Sequence, residues 1–102
     1  MNVEELKRLS ELGVATVYEA AGRIGLTDIP LIQLLPGSRI AGPARTVRCA
    51  QDDNLMVHAA VEQIQPGEVL LLTMPEPRPV ALIGELLVTQ IKVRGAAGSL
   101  VD

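Results

Sequence analysis

The chain has no phenylalanine and no tryptophan, and a single tyrosine, Tyr18, is its whole aromatic content. That absence excludes nucleic-acid modules that stack bases on aromatic rings. It also means that any core must be built from Leu, Val, Ile, Ala and Met. Basic excess is missing as well: the net charge is −3, which argues against a phosphate-tracking surface. One cysteine, Cys49, excludes an internal disulfide and fits a reduced, cytoplasmic setting. No apolar run approaches the ~20 residues that span a bilayer. The amphipathic start, MNVEELKRLSELG, has no continuous apolar stretch of the signal-peptide kind. No repeat and no low-complexity segment is present.

What remains is a chain of 102 residues, 48% hydrophobic, enough for one small domain with a core. Val3, Leu6, Leu9 and Leu12 recur at helical spacing, Asn2 and Glu5 stand at capping-box spacing, and Gly13 punctuates. A short second helix is expected next, with Thr16-x-x-Glu19 as its capping box and Gly22 near its end. Residues 27–35 read as loop and Pro36-Gly37 as a turn. Residues 38–50 read as a strand broken at Gly42-Pro43. In ARTVRCA, Ala44, Thr46 and Arg48 point to one face, and Arg45, Val47 and Cys49 to the other.

Gln51-Asp52-Asp53 is expected to cap a helix over residues 54–65, with Leu55, Met56, Ala59, Ala60 and Ile64 as its buried stripe. Gln65-Pro66-Gly67 is a turn. Residues 69–74 form a short, almost wholly apolar strand, as expected of one buried on both faces. Pro75-Glu76-Pro77-Arg78-Pro79 is a stiff loop, and residues 80–83 read as briefly extended. A helix follows over residues 85–94, stopped by Gly95, and residues 99–101 begin another strand. Strands alternating with helices imply an α/β domain.

No local motif names a reaction. His58 is the only histidine and lacks a partner at metal-ligand spacing, so a structural or solvent role is expected. Cys49 reads as a packed thiol, and Asp52 and Asp53 as capping residues. Glu19 is explained by its capping box. Arg45 and Arg48 lie on opposite faces of one strand, where an anionic ligand, a subunit partner or solvent would each suit them. Gly84-Glu85 stands at a helix start, where unpaired amides and the helix dipole favour a carboxylate or phosphate. Taken alone, an ordinary glycine turn is the better explanation, since every helix has such an end.

The order of segments says more. VATVYEAAGR, PGSRIAGPARTVRC, DDNLMVHAAVEQIQPGEVLLL and GELLVTQIKVRGAAGSLVD together resemble the RraA-like family over essentially the whole chain. The residues that carry the resemblance are Gly42, Ala44 and Thr46, Asp53-Asn54, Pro66-Gly67-Glu68 and Gly84-Glu85. That family includes 4-hydroxy-4-methyl-2-oxoglutarate aldolases and regulators of ribonuclease activity, and some members once carried a demethylmenaquinone methyltransferase label. The resemblance implies a swivelling β/β/α domain, assembled as a homotrimer or hexamer with sites between subunits.

It further implies a lyase that uses Mg²⁺ or Mn²⁺, cleaves 4-carboxy-2-oxoacids to pyruvate and decarboxylates oxaloacetate. By that resemblance the substrate carboxylate docks at Gly84 and the amides of Leu86 and Leu87. Glu85 stands for the acidic residue that holds metal-bound water. Glu19 and Arg45 are candidates to serve a neighbouring subunit's site. The family's G-x-x-R-D motif, which supplies an arginine and the metal-binding aspartate, is expected beyond Asp102. The chain therefore resembles the N-terminal portion of the domain, with no metal ligand of its own. Two other roles stay open: a non-catalytic regulator that binds a ribonuclease, and an inactive remnant. No nucleic-acid or membrane partner is expected.

Overall fold

A computed structural model describes residues 1–102, and they fall into two compact units, Met1–Ala41 and Gly42–Asp102. The first unit holds two helices. Helix α1, Val3–Leu12, begins with the expected capping box: the Asn2 side chain accepts from Glu5 N at 2.9 Å, and the Glu5 carboxylate accepts from Asn2 N at 3.1 Å. Gly13, at φ 87°, ends α1 and at once starts helix α2, Val14–Ala20. A residue with a Cβ would strain at that φ.

The capping box expected at Thr16 and Glu19 is not formed. The helix starts three residues earlier, with Gly13 as its N-cap, which leaves Thr16 inside it, and no side chain caps α2. Glu19 instead meets Arg23 one turn on, at 3.2 Å, and both are exposed. Residues 24–41 carry no helix or strand, and Ser38 N closes the Pro36-Gly37 turn onto the Leu35 carbonyl at 3.1 Å.

The second unit is an α/β layer: β1 Ala44–Arg48, α3 Leu55–Val61, β2 Val69–Thr73, α4 Glu85–Val93 and β3 Gly98–Val101. The strands form a parallel sheet in the order β1-β2-β3. Val69 lies opposite Ala44 on one side and Gly98 on the other. Strand β1 is shorter than the sequence suggests. Residues 38–43 do not pair, and Pro43, which has no N–H, contributes only its carbonyl, to Val69 N at 2.8 Å. Residues 80–83 are likewise not a strand.

The core gathers Val47 and Cys49 from β1 and its end, Leu70, Leu72 and Met74 from β2 and its end, and Val57, Val61 and Ile64 from α3 and its exit. Leu82, Leu87 and Ile91 complete it. Helices α3 and α4 thus share the sheet face that carries Val47, Leu70 and Leu72. Helix α3 corrects the expected stripe. It buries Val57 and Val61, while Leu55 and Met56 are exposed. Residues 55–61 are apolar almost all round, so periodicity does not select a face; the sheet does.

The glycines at the start of the sheet are packing devices. A Cβ on Gly42 would run into the Gly67 carbonyl oxygen, and one on Gly95 would press on Pro66. Gly95, at φ 88°, also ends α4 as expected and returns the chain toward β3.

Candidate functional site

Gly84 is the N-cap of α4, and no side chain caps the helix. The first helical bond runs from Val88 N to the Gly84 carbonyl at 3.0 Å. The amides of Glu85, Leu86 and Leu87 therefore precede the hydrogen-bonded ladder, at the positive end of the helix dipole. A Cβ built on Gly84 meets nothing within 4 Å, so the approach to its backbone is open. Leu86 is 82% exposed, Leu87 turns into the core at 6%, and Glu85 is exposed. Three of these four residues thus face outward, and Leu87 anchors the turn. The arrangement presents N–H donors with no competing side chain, which suits a small carboxylate.

The other residues singled out from the sequence sit elsewhere. Arg45 is half-buried on β1 and makes a two-pronged ion pair with Glu68, Nε to Oε2 at 2.6 Å and Nη2 to Oε1 at 2.7 Å. Glu68 also accepts from Gln65 N at 3.1 Å. The Arg45 guanidinium holds the Glu68 carboxyl below the usual carboxylate range, and Glu68 in turn raises Arg45. This fork joins the β2 entry to β1, an intramolecular use for Arg45 that sequence alone left open. Glu19 lies in the first unit, with Arg23 as its partner. His58 is exposed on α3, and Arg48 is exposed on β1.

Cys49 is buried, as expected of a packed thiol. Burial first, then the charges of Asp53 and Asp102, push its pKa up, so it stays a neutral thiol near pH 7. No cluster of three His, Cys, Asp or Glu side chains suited to a metal ion occurs in residues 1–102. These residues alone do not fit a divalent-metal centre, and no chemical step is assigned to one within them.

Sequence reasoning missed the roles of residues 51–54. Neither aspartate is the N-cap of α3: that position is Asn54, and no side chain caps the helix. Asp53 Oδ1 accepts from Leu55 N, two residues on, at 2.8 Å, while Asp52 takes φ 57° and pairs with Arg78 at 3.4 Å. Gln51 and Asn54 reach across to the proline-rich loop. Their only signal was polar side chains opposite a loop poor in N–H donors.

The first unit contributes an open groove of about 580 Å³, whose lining includes Leu9, Val17, Tyr18, Ile24, Leu26 and Ile40. Its lining is mostly apolar, with Ser10, Thr27, Ser38 and Arg39 as polar exceptions, and contains none of the acidic residues considered above.

A sequence model described as "RraA-like: Aldolase/RraA" matches residues 14–102. A protein of Halalkalibacterium halodurans named "Putative 4-hydroxy-4-methyl-2-oxoglutarate aldolase" is 34% identical over 80 residues. The match covers 76% of this chain and 38% of the relative, so the chain spans about two fifths of the length of the curated protein it matches. No helix is long and apolar enough to cross a membrane.

Proposed function

Because this chain belongs to the RraA-like family, we propose that in full-length form it is an aldolase of 4-hydroxy-4-methyl-2-oxoglutarate-type 2-oxoacids that also decarboxylates oxaloacetate. The observation that carries this reading is the start of α4, where the amides of Glu85, Leu86 and Leu87 stand without a capping side chain beside an unobstructed Gly84. A 2-oxoacid offers such a site its C1 carboxylate. Docked there, the acid is fixed at one end, which leaves the C3–C4 bond as the reacting bond.

In both reactions that bond breaks, and its electron pair stays with the pyruvate enolate. The aldol substrate gives its 4-hydroxyl proton to a base and releases a second keto acid, and oxaloacetate, as the 4-carboxylate, releases CO₂. A proton delivered to C3 of the enolate completes pyruvate. In this reading Glu85, exposed next to the docking amides, holds the water that relays this proton. Mg²⁺ or Mn²⁺ would, in this reading, polarise the 2-oxo oxygen, and residues 1–102 hold no ligand cluster for it. Assembly as a homotrimer or hexamer is part of it too, with Glu19 as the residue offered to a neighbouring subunit. Arg45 pairs with Glu68 through Nε and Nη2, and its Nη1 is left for such a role.

The test is pyruvate release from oxaloacetate and from 4-hydroxy-4-methyl-2-oxoglutarate, with and without Mg²⁺. It is run on this chain and on one extended through a G-x-x-R-D segment. Metal-dependent turnover by the extended chain alone is the expected result. No turnover by either chain, together with co-purification of a ribonuclease, overturns the enzymatic reading in favour of a binding protein.

A further inference from the structure

The loop that delivers the chain to α4 cannot hold itself. Pro75, Pro77 and Pro79 have no N–H, so residues 75–83 lack the donors for a ladder. One short internal bond, Val80 N to the Arg78 carbonyl at 2.7 Å, is all the backbone supplies within it. The loop is nevertheless tied at three points, all to the connection between β1 and α3. Gln51 grips the Glu76 backbone with both ends of its amide: Nε2 donates to the carbonyl at 3.0 Å, and Oε1 accepts from the N–H at 2.9 Å. Asp52 pairs with Arg78 at 3.4 Å. Asn54 Nδ2 donates to the Leu82 carbonyl at 3.1 Å.

Leu82 is 2% exposed, so this last tie fixes a residue already plugged into the core. Gly84, the α4 N-cap, comes two residues later. Asp53 Oδ1 meanwhile accepts from Leu55 N, in the first turn of α3, which ties the bracket itself to a helix. All four consecutive side chains, 51–54, are thereby committed, and three of them act on the same loop.

We propose that Gln51 and Asn54 are positioning residues for the start of α4, setting where the amides of Glu85, Leu86 and Leu87 stand. The functional consequence rests on the docking role proposed above. If a carboxylate binds at those amides, its placement is inherited from residues 51–54, and displacement of about 1 Å costs on the order of 100-fold in rate. Arg78 and Asp52 are both substantially exposed and add little to the hold. The amide clamps carry it.

The experiment uses this chain, isotope-labelled, with Asn54→Asp and Gln51→Ala. Asn54→Asp keeps the side chain's shape and its suitability as a helix N-cap but loses the Nδ2 donor. Hydrogen exchange is read at Val88, the first hydrogen-bonded amide of α4, and at Leu70 and Leu72 in the core strand. Exchange at Val88 at least ten-fold faster in Asn54→Asp, and a few-fold faster in Gln51→Ala, with Leu70 and Leu72 unchanged, is the expected pattern. An unchanged Val88, or equal acceleration at all three positions in both variants, overturns the proposal; the second result would make residues 51–54 general supports of the core. Pyruvate is then titrated while the Glu85, Leu86 and Leu87 amide resonances are followed, and Asn54→Asp is expected to bind at least five-fold more weakly than the parent. Equal affinity overturns the link from bracket to ligand. No shift in the parent chain overturns the docking role alone, because the exchange result still decides whether the bracket positions α4.

Discussion

The two units of this chain have similar apolar content and opposite fates for it. In Met1–Ala41 no side chain is fully buried, although α1 carries a complete capping box and residues at helical spacing. In Gly42–Asp102 the side chains of Val57, Leu70 and Leu72 are at most 1% exposed. Caps and periodicity satisfy the backbone locally and make a helix. They do not make a core, which needs surfaces brought together from distant parts of the chain. The parallel sheet does that in the second unit, since each β-α-β crossover folds a helix back onto it.

The strongest way to break this contrast is a pair of truncations. Leu70→Ala is expected to cost ~2–5 kcal/mol by chemical denaturation, because it empties a packed site. Leu34→Ala, at a residue 91% exposed, is expected to stay within ~0.5 kcal/mol. Comparable losses would mean that the first unit has a core of its own. Next in size is Gly42→Ala, at ~1–3 kcal/mol, since its methyl must displace the Gly67 carbonyl. The same denaturation series reads it, and a neutral result would show that the sheet's entry loops yield.

In the first unit, Asn2→Ala removes a cap and should cost α1 ~1 kcal/mol. Faster amide exchange at Glu5 and Leu6 measures it, with no change at Leu70. The smallest effect is the acid response of the Arg45–Glu68 fork. The folded pKa of Glu68 lies below its unfolded value. Its contribution is therefore present above the ordinary carboxylate range and fades as pH falls through the depressed folded value. Glu68→Gln should flatten the stability-versus-pH curve in that acid window and leave the slope near neutrality unaltered. An unchanged acid slope would show that the pair is not linked to folding.

Much of the architecture was legible in the residues. Asn2, Glu5 and Gly13 bounded α1, and Gly84 and Gly95 bounded α4. The apolar run at residues 69–74 marked the central strand. Where the expectation failed, two local signals competed. Thr16 and Glu19 had capping-box spacing, but Gly13 had already started α2. Residues 38–43 had strand-like composition, yet they form no strand: Pro43 lacks a donor and gives the sheet only its carbonyl. Of the candidate site, Gly84 to Leu87 were legible as a helix start; that Leu87 points inward and Leu86 outward was not.

By itself, then, the sequence determined the alternation of helices and strands, the ends of α1 and α4, and the aliphatic character of the core. These follow from interactions within a few residues, where propensity, caps and glycine act. The assembled fold alone settled which face of α3 is buried, that Arg45 pairs with Glu68, and that Gln51 and Asn54 bond to the loop before α4. Each of those joins groups more than twenty residues apart or depends on the sheet behind it, and no local pattern encodes which of several compatible partners the fold will bring near.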